Sequence, residues 1–127
     1  MKKIAICFVL AASLYACSNN TENTANKSEA KVKTTDVTND PAFTAGLELV
    51  RKSDCFTCHK IDEASTGPAY RLIANKYTAA DSTIKMLASK IIKGGTGNWG
   101  TIPMTAHPDL SEADVTAMVK YVLMLKK

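Results

Sequence analysis

The chain has 127 residues, of which 46% are hydrophobic, 6% aromatic and 22% charged; that length suits one domain and excludes a barrel enzyme or a multi-span membrane protein. Sixteen Lys and Arg against twelve Asp and Glu give a net charge of +4, and setting aside Lys2 and Lys3, which belong to a leader, leaves +2. So mild an excess gives no sign of a nucleic-acid surface, and no nucleic-acid partner is expected. The chain opens with Lys2 and Lys3 as a positive start, and residues 4–15 form an apolar run broken only by Ser13. That is the anatomy of a secretory signal, too short to span a bilayer as a helix.

The run ends Leu14-Tyr15-Ala16-Cys17. Ordinary signal cleavage prefers small residues at the first and third positions before the cut, and a cut before Cys17 would put Leu14 at the third. Leucine is the residue type that a bacterial lipoprotein signal carries there. Residues 1–16 therefore resemble a lipoprotein signal peptide, with Cys17 as the lipidated first residue of the mature chain. The plainer alternative is an ordinary exported protein in which Cys17 is incidental. Cys7 lies inside the apolar run and would be discarded with it.

Residues 17–39 are rich in Asn, Thr, Ser, Lys and Glu and contain no aromatic residue. Such a segment cannot bury enough apolar surface to offset chain entropy, so a disordered linker is expected. Fully extended it reaches roughly 75 Å, and as a coil it spans about 25 Å. A lipid on Cys17 followed by this tether would hold a soluble domain at a membrane surface, free to swing.

Residues 40–127 read as the folded domain. Asp40 is a helix N-cap with Pro41 at the first helical position, and Phe43, Leu47 and Val50 follow one helical face. A short second helix is expected from Pro68 to about Lys76. Asp81 is expected to cap a third, whose face carries Ile84, Leu87, Ala88, Ile91 and Ile92, with Gly94 ending it in a left-handed conformation. Residues 94–110 read as a loop punctuated by Gly and Pro. Ser111 caps the last helix, with Asp114 in the place of a capping-box Glu, and Val115, Met118, Val119, Val122 and Leu123 form its apolar face. No segment alternates as a strand, so the expected class is all-α, with about four helices.

The chemistry sits in Cys55-Phe56-Thr57-Cys58-His59. This is C-x-x-C-H, the attachment signature of a c-type haem. Two thiols three positions apart on one helical turn share a side, where each can bond a porphyrin vinyl group, and the adjacent His59 is placed to reach the iron. A zinc ribbon would need a second ligand pair, and only His107 remains. A thioredoxin-type pair expects a βαβ setting, and an ordinary disulfide leaves His59 unexplained. For the other face of the iron, Met86, Met118 and Met124 lie at helical positions, where methionine is more often core filling. Met104 lies in a loop, after Pro103, and is the expected sixth ligand; His107 is its rival. Gly94-Gly95-Thr96-Gly97 lacks the ending of a phosphate loop and is read as close backbone packing against haem.

These residues, with Gly67-Pro68-Ala69-Tyr70 and the stretch from Gly97 to Met104, resemble the class I c-type cytochromes of the short bacterial monohaem type. That family includes electron donors to nitrite reductase and terminal oxidases. The resemblance implies a small cytochrome c fold around one haem c, covalent through Cys55 and Cys58, with His59 and Met104 as iron ligands. It further implies that the Pro68 carbonyl accepts from the other ring nitrogen of His59, a contact that would raise the basicity of the ring. It implies that Trp99 donates to a haem propionate and that Lys90 neutralises one. The family often has Asn just after the methionine, where His107 stands here, and a histidine this near the iron implies a potential that depends on pH. Lys52, Lys60, Lys90 and Lys93 are candidates for a partner-docking face.

The expected function is one-electron transfer by a monomeric carrier rather than catalysis, since no nucleophile–base pair is apparent. The expected partners are a respiratory complex, a terminal oxidase or a nitrite reductase, on the periplasmic side of a bacterial membrane. A small haem peroxidase or gas sensor with an open sixth position is the alternative, and a structural lipoprotein with a chance motif is a third. With few aromatics for a domain of this size, the haem is expected to complete the core.

Overall fold

Asp40 starts the first helix by accepting from the backbone N–H of Ala42 at 2.8 Å, with Pro41 at the first helical position. In the computed structural model, which describes residues 36–127, this is α1, Pro41–Lys52. The expected leader, Cys7, Cys17 and the linker up to residue 35 lie outside the described residues. The last linker residues form a 3-10 turn, Val37–Asn39, with the Asp36 carboxylate accepting from Thr38. Three further helices follow: α2 Tyr70–Lys76, α3 Asp81–Lys93 and α4 Glu112–Met124.

Helix α4 is the hub, packing on α1, α2 and α3. It buries Val115, Met118, Val119, Tyr121, Val122 and Leu123, more than one stripe, because it meets neighbours on several sides. Phe43 of α1 meets Tyr121 edge-on at 4.9 Å. The crossing of α1 over α4 is close because of Gly46: a Cβ there would stand 2.5 Å from Tyr121 Cβ and 2.6 Å from the Ala117 carbonyl oxygen. Arg71 clamps the end of α4 from the side, donating to the Leu125 carbonyl at 2.5 Å and to Asp62 at 2.5 Å. That guanidinium holds the Asp62 carboxyl below the usual carboxylate range and satisfies a carbonyl that the helix end leaves open. No buried side-chain nitrogen or oxygen among the described residues lacks a partner.

The expectation of four helices holds, and the details differ in four places. Residues 94–110 are not simply a loop: β1, Gly95–Gly97, and β2, Gly100–Met104, pair as an antiparallel hairpin with a register irregularity between Gly95 and Gly97. A Gly-Thr-Gly strand has no apolar side chain to alternate, so periodicity could not reveal it. Helix α2 starts at Tyr70 rather than Pro68, with Ala69 extended before it. Its first free N–H groups, Tyr70 and Arg71, donate to the carbonyls of Lys60 and Ile61 at 2.9 and 3.0 Å. Asp81 is inside α3, and Ala80 takes the cap position without a side-chain bond, so Asp81 serves the helix through its charge. Gly94 has the expected positive φ, 64°, but a ψ of −151° that sends the chain directly towards β1. At the start of α4, Ser111 accepts from the Asp114 N–H at 3.1 Å as expected, while its hydroxyl donates to the Asp114 carboxylate.

Replacing Gly46 tests the crossing. Gly46→Ala adds a methyl where neither backbone can easily yield, and should destabilise the haem-loaded protein by about 2 kcal/mol. Thermal unfolding should show the midpoint falling by roughly 8–15 °C, although alanine is the better helix former.

Candidate functional site

Helix α1 runs into a reversal at Asp54, which adopts a left-handed conformation, φ 54° and ψ 18°. Directly after it, Cys55–Thr57 form a 3-10 turn with Cys58 at its end. In that geometry side chains three apart eclipse, so the thiols of Cys55 and Cys58 share one face. Both are free and half-buried. The Cys55 thiol donates to the Ser53 carbonyl at 3.5 Å, and burial pushes it up from its ordinary pKa, with the Tyr70 hydroxyl beside it acting in the opposite sense. The Cys55 carbonyl accepts from the N–H groups of both Cys58 and His59, at 3.3 and 3.0 Å, which closes the turn on the histidine.

His59 lies in a slot built by the chain that leads into α2. Its Nδ1 is 2.7 Å from the Pro68 carbonyl, so the protonated Nδ1 donates there and Nε2 is left for a metal. Tyr70 stacks on the imidazole, with ring centroids 5.2 Å apart and planes within 11°. On the remaining side Gly67 has no Cβ because there is no space for one: it would stand 2.5 Å from His59 Cε1 and 2.8 Å from Nδ1. The Gly67 N–H donates to the Cys58 carbonyl at 2.8 Å, tying this strip to the cysteine turn. Tyr70 is buried, and burial, reinforced by the neighbouring Cys55, pushes its hydroxyl far up, so it stays neutral.

The opposite wall comes from α3 and the hairpin. Together they enclose a cavity of about 570 Å³. Cys55, Cys58, His59 and Pro68 line one side; Lys90, Trp99, Met104 and His107 also line it. Met118, buried in α4, lines the same cavity as well as filling the core, while Met86 on α3 is 45% exposed and fills none. The Lys90 ammonium donates to the carbonyls of Gly95 and Thr96 at 2.7 and 2.6 Å. The run 94–97, expected to pack against haem, is met at Gly94 by the chain itself instead, since a Cβ there would be 2.5 Å from the Met104 carbonyl oxygen; Gly95 and Gly97 line the cavity. His107 is tied by its N–H to the Ile91 carbonyl at 3.1 Å and also borders a second cavity of about 360 Å³, beside Asp54 and Asp109.

The residues fit a haem on the chemistry of the donor set. Two thiols on one face, a histidine with one nitrogen engaged and one left, and a methionine line one cavity. Its volume lies within the roughly 300–1,000 Å³ of cofactor sites. Of the lysines read as a docking face, Lys90 lines the cavity, Lys52 borders the second one, and the Lys60 ammonium donates to the Phe56 carbonyl at 3.0 Å. Three contributors are not evident from the spacing of ligands: the Gly67 cradle, the Tyr70 stack, and Lys76, whose ammonium lies 4.4 Å over the Trp99 ring. The Gly-Pro step after C-x-x-C-H signals the first; nothing in the sequence marks the third.

The sequence model of the Cytochrome c family matches residues 43–126. Cytochrome c-551 of Allochromatium vinosum is 39% identical over 85 residues, covering 67% of this chain and 90% of that protein. Cytochrome c-552 of Nitrosomonas europaea is 39% identical over 82 residues, 65% of this chain and 80% of that one. The crystal structure of that cytochrome superposes with a TM-score of 0.59 at 39% identity, over 63% of this chain and 99% of its own. The match begins at Phe43 in α1 and ends in the last residues after α4, so it takes in both the cysteine turn and the hairpin. The chain thus belongs to the cytochrome c family, as an electron carrier with one c-type haem held covalently through Cys55 and Cys58.

Proposed function

We propose that His59 and Met104 are the two iron ligands, and that the domain works as a lipid-anchored carrier on the periplasmic side of a bacterial membrane. It passes single electrons between a respiratory complex and a terminal oxidase or nitrite reductase, as a monomer. The observation that carries the ligand reading is the 2.7 Å contact of His59 Nδ1 with the Pro68 carbonyl, which reserves Nε2 for the cavity that Met104 also lines.

When bound, the haem supplies a one-electron iron couple. The chain supplies the rest. Cys55 and Cys58 fix the group's position by covalent attachment. The Pro68 carbonyl holds the His59 proton at Nδ1, which selects the tautomer and raises the basicity of Nε2. Met104 would supply the second iron ligand from the chain, and a thioether ligand favours a raised potential. Leu87, Ile91, Val119 and Val122 keep water from the inner wall. The Lys90 ammonium has three donors and two are used on Gly95 and Thr96, which leaves one for a propionate. The Trp99 indole N–H serves as the second propionate donor. Anchoring is supported by the leader and by Cys17; among the described residues no helix is long and apolar enough to cross a membrane.

Met104→Ala tests the ligand. Covalent haem should be retained, the weak far-red band of methionine–iron(III) ligation should vanish from the oxidised spectrum, and the potential should fall. The reduced variant should bind carbon monoxide rapidly while the parent does not; rapid binding by the parent at neutral pH would favour the peroxidase or gas-sensor reading. Gly67→Ala should displace the imidazole and lower the yield of low-spin haem protein, seen as a weakened α-band per covalent haem. Replacing residues 1–17 by an ordinary secretory signal with small residues before its cut should move the protein from the membrane fraction to the soluble fraction of the producing cell, with its haem spectrum unchanged; retention on membranes would refute the anchor.

A further inference from the structure

The hairpin that bears Met104 is poorly supported by its own structure. Neither strand packs broadly against a helix. Its two-residue turn, Asn98-Trp99, is not of the primed kind that suits the twist of paired strands. Those turns need positive φ at a central residue, and Asp54 is the only non-glycine among the described residues with one. The positive φ values fall on the flanking Gly97 and Gly100. A short hairpin of this type is marginal by itself, so what holds it from outside decides where Met104 stands.

At its base the hairpin is held by α3, through the two Lys90 bonds and the contact of Gly94 with Met104. At its tip it is held by the C-terminal end of α2. The Lys76 ammonium lies 4.4 Å over the Trp99 ring and 3.4 Å from the Asn98 carbonyl, and Asn98 Nδ2 donates to the Tyr77 hydroxyl at 3.1 Å. The bland view of an exposed lysine is a solvated charge. Three observations oppose it here. The ion pairs among the described residues are Arg51 with Glu48 and Arg71 with Asp62, so Lys76 is not engaged by a carboxylate. It is the last residue of α2, where a cation is favoured by the helix dipole. Its ammonium addresses both residues of the turn, one through the π-face and one through the carbonyl.

We propose that Lys76 is a positioning residue for the methionine side of the haem: it pins the Asn98-Trp99 turn to α2, and through β2 it fixes Met104. The inference rests on Met104 being the ligand. Pro103, with its locked φ, precedes Met104 in β2, so a shift of the turn is passed along the strand rather than absorbed beside the methionine. The same ammonium holds the indole plane of Trp99, the residue assigned to a propionate.

The test uses the full-length, haem-loaded protein and three variants: Lys76→Gln, Lys76→Arg and, as a control for lost charge, Lys120→Gln on the exposed side of α4. Hydrogen exchange of the β1–β2 amides, the far-red methionine–iron band and the iron-bound methionine methyl resonance of the reduced protein are read in each. Lys76→Gln should speed exchange of the ladder amides about two- to fivefold, the factor that a cation–π contact at an exposed site carries. It should also shift or broaden the methyl resonance and weaken the far-red band. Lys76→Arg should restore all three, because guanidinium also stacks on indole. Parent-like exchange and spectra in Lys76→Gln would overturn the proposal, as would equal changes in Lys120→Gln. A parent without any methionine signature would overturn the ligand reading and the positioning role with it, whereas ladder exchange reports the grip of Lys76 in either case.

Discussion

The imidazole of His59 is bounded on three sides: the Pro68 carbonyl at 2.7 Å from Nδ1, the stacked ring of Tyr70, and a backbone at Gly67 too close to admit a Cβ. A ring so confined has one tautomer and one orientation, which is what a metal ligand needs before the metal arrives. The three bounding residues lie within four consecutive positions, so the slot is a local product of the chain as it enters α2. Its placement is not local. Tyr70 is buried and also meets Tyr121 edge-on at 6.4 Å, and Tyr121 is where α1 and α4 cross over Gly46. The end of α1 in turn delivers Asp54 and the cysteine turn. The slot and the thiols are therefore two ends of one packed unit, and loosening the α1–α4 crossing would separate them.

The two sides of the cavity are built by different means. On the histidine side, position comes from helix packing and from a covalent thioether pair, which cannot slip. On the methionine side, it comes from a hairpin in whose strands every residue but Met104 is exposed, held by hydrogen bonds and a cation–π contact from α2 and α3. Contacts of the second kind are individually small and are weakened in water. Gly94 partly offsets this, since the close backbone approach it allows is a steric stop rather than an attraction.

Much of this was legible in the sequence because its signals are local. C-x-x-C-H carries its own spacing logic, the Asp40-Pro41 and Ser111 caps start helices as expected, and the stripes of α1, α3 and α4 face the core. The hairpin was not legible, because a strand of Gly-Thr-Gly has no pattern and its conformation is set by positive φ at glycines that equally suit a loop. Local signals place the start of α2 two residues early, because Pro68 looks like a first helical residue, whereas the Pro68 carbonyl serves His59 and Ala69 is extended. Nor could spacing reveal Lys76: it is separated from Trp99 by the whole of α3, and only the fold brings the two together.

An electron carrier is served by coordination that does not rearrange, and rigidity is limited by the softer of the two supports. The histidine support spans a buried aromatic cluster and two covalent bonds, so it opens only with the domain. The hairpin rests on a few exposed contacts and packs broadly on no helix, so its local opening is expected to cost less than that of the helices. With Met104 as the ligand proposed above, its bond to iron would be the first lost under heat or denaturant. On that reading the residues that hold β1 and β2, Lys90 and Lys76 among them, would govern the ligation well before the hydrophobic core is disturbed.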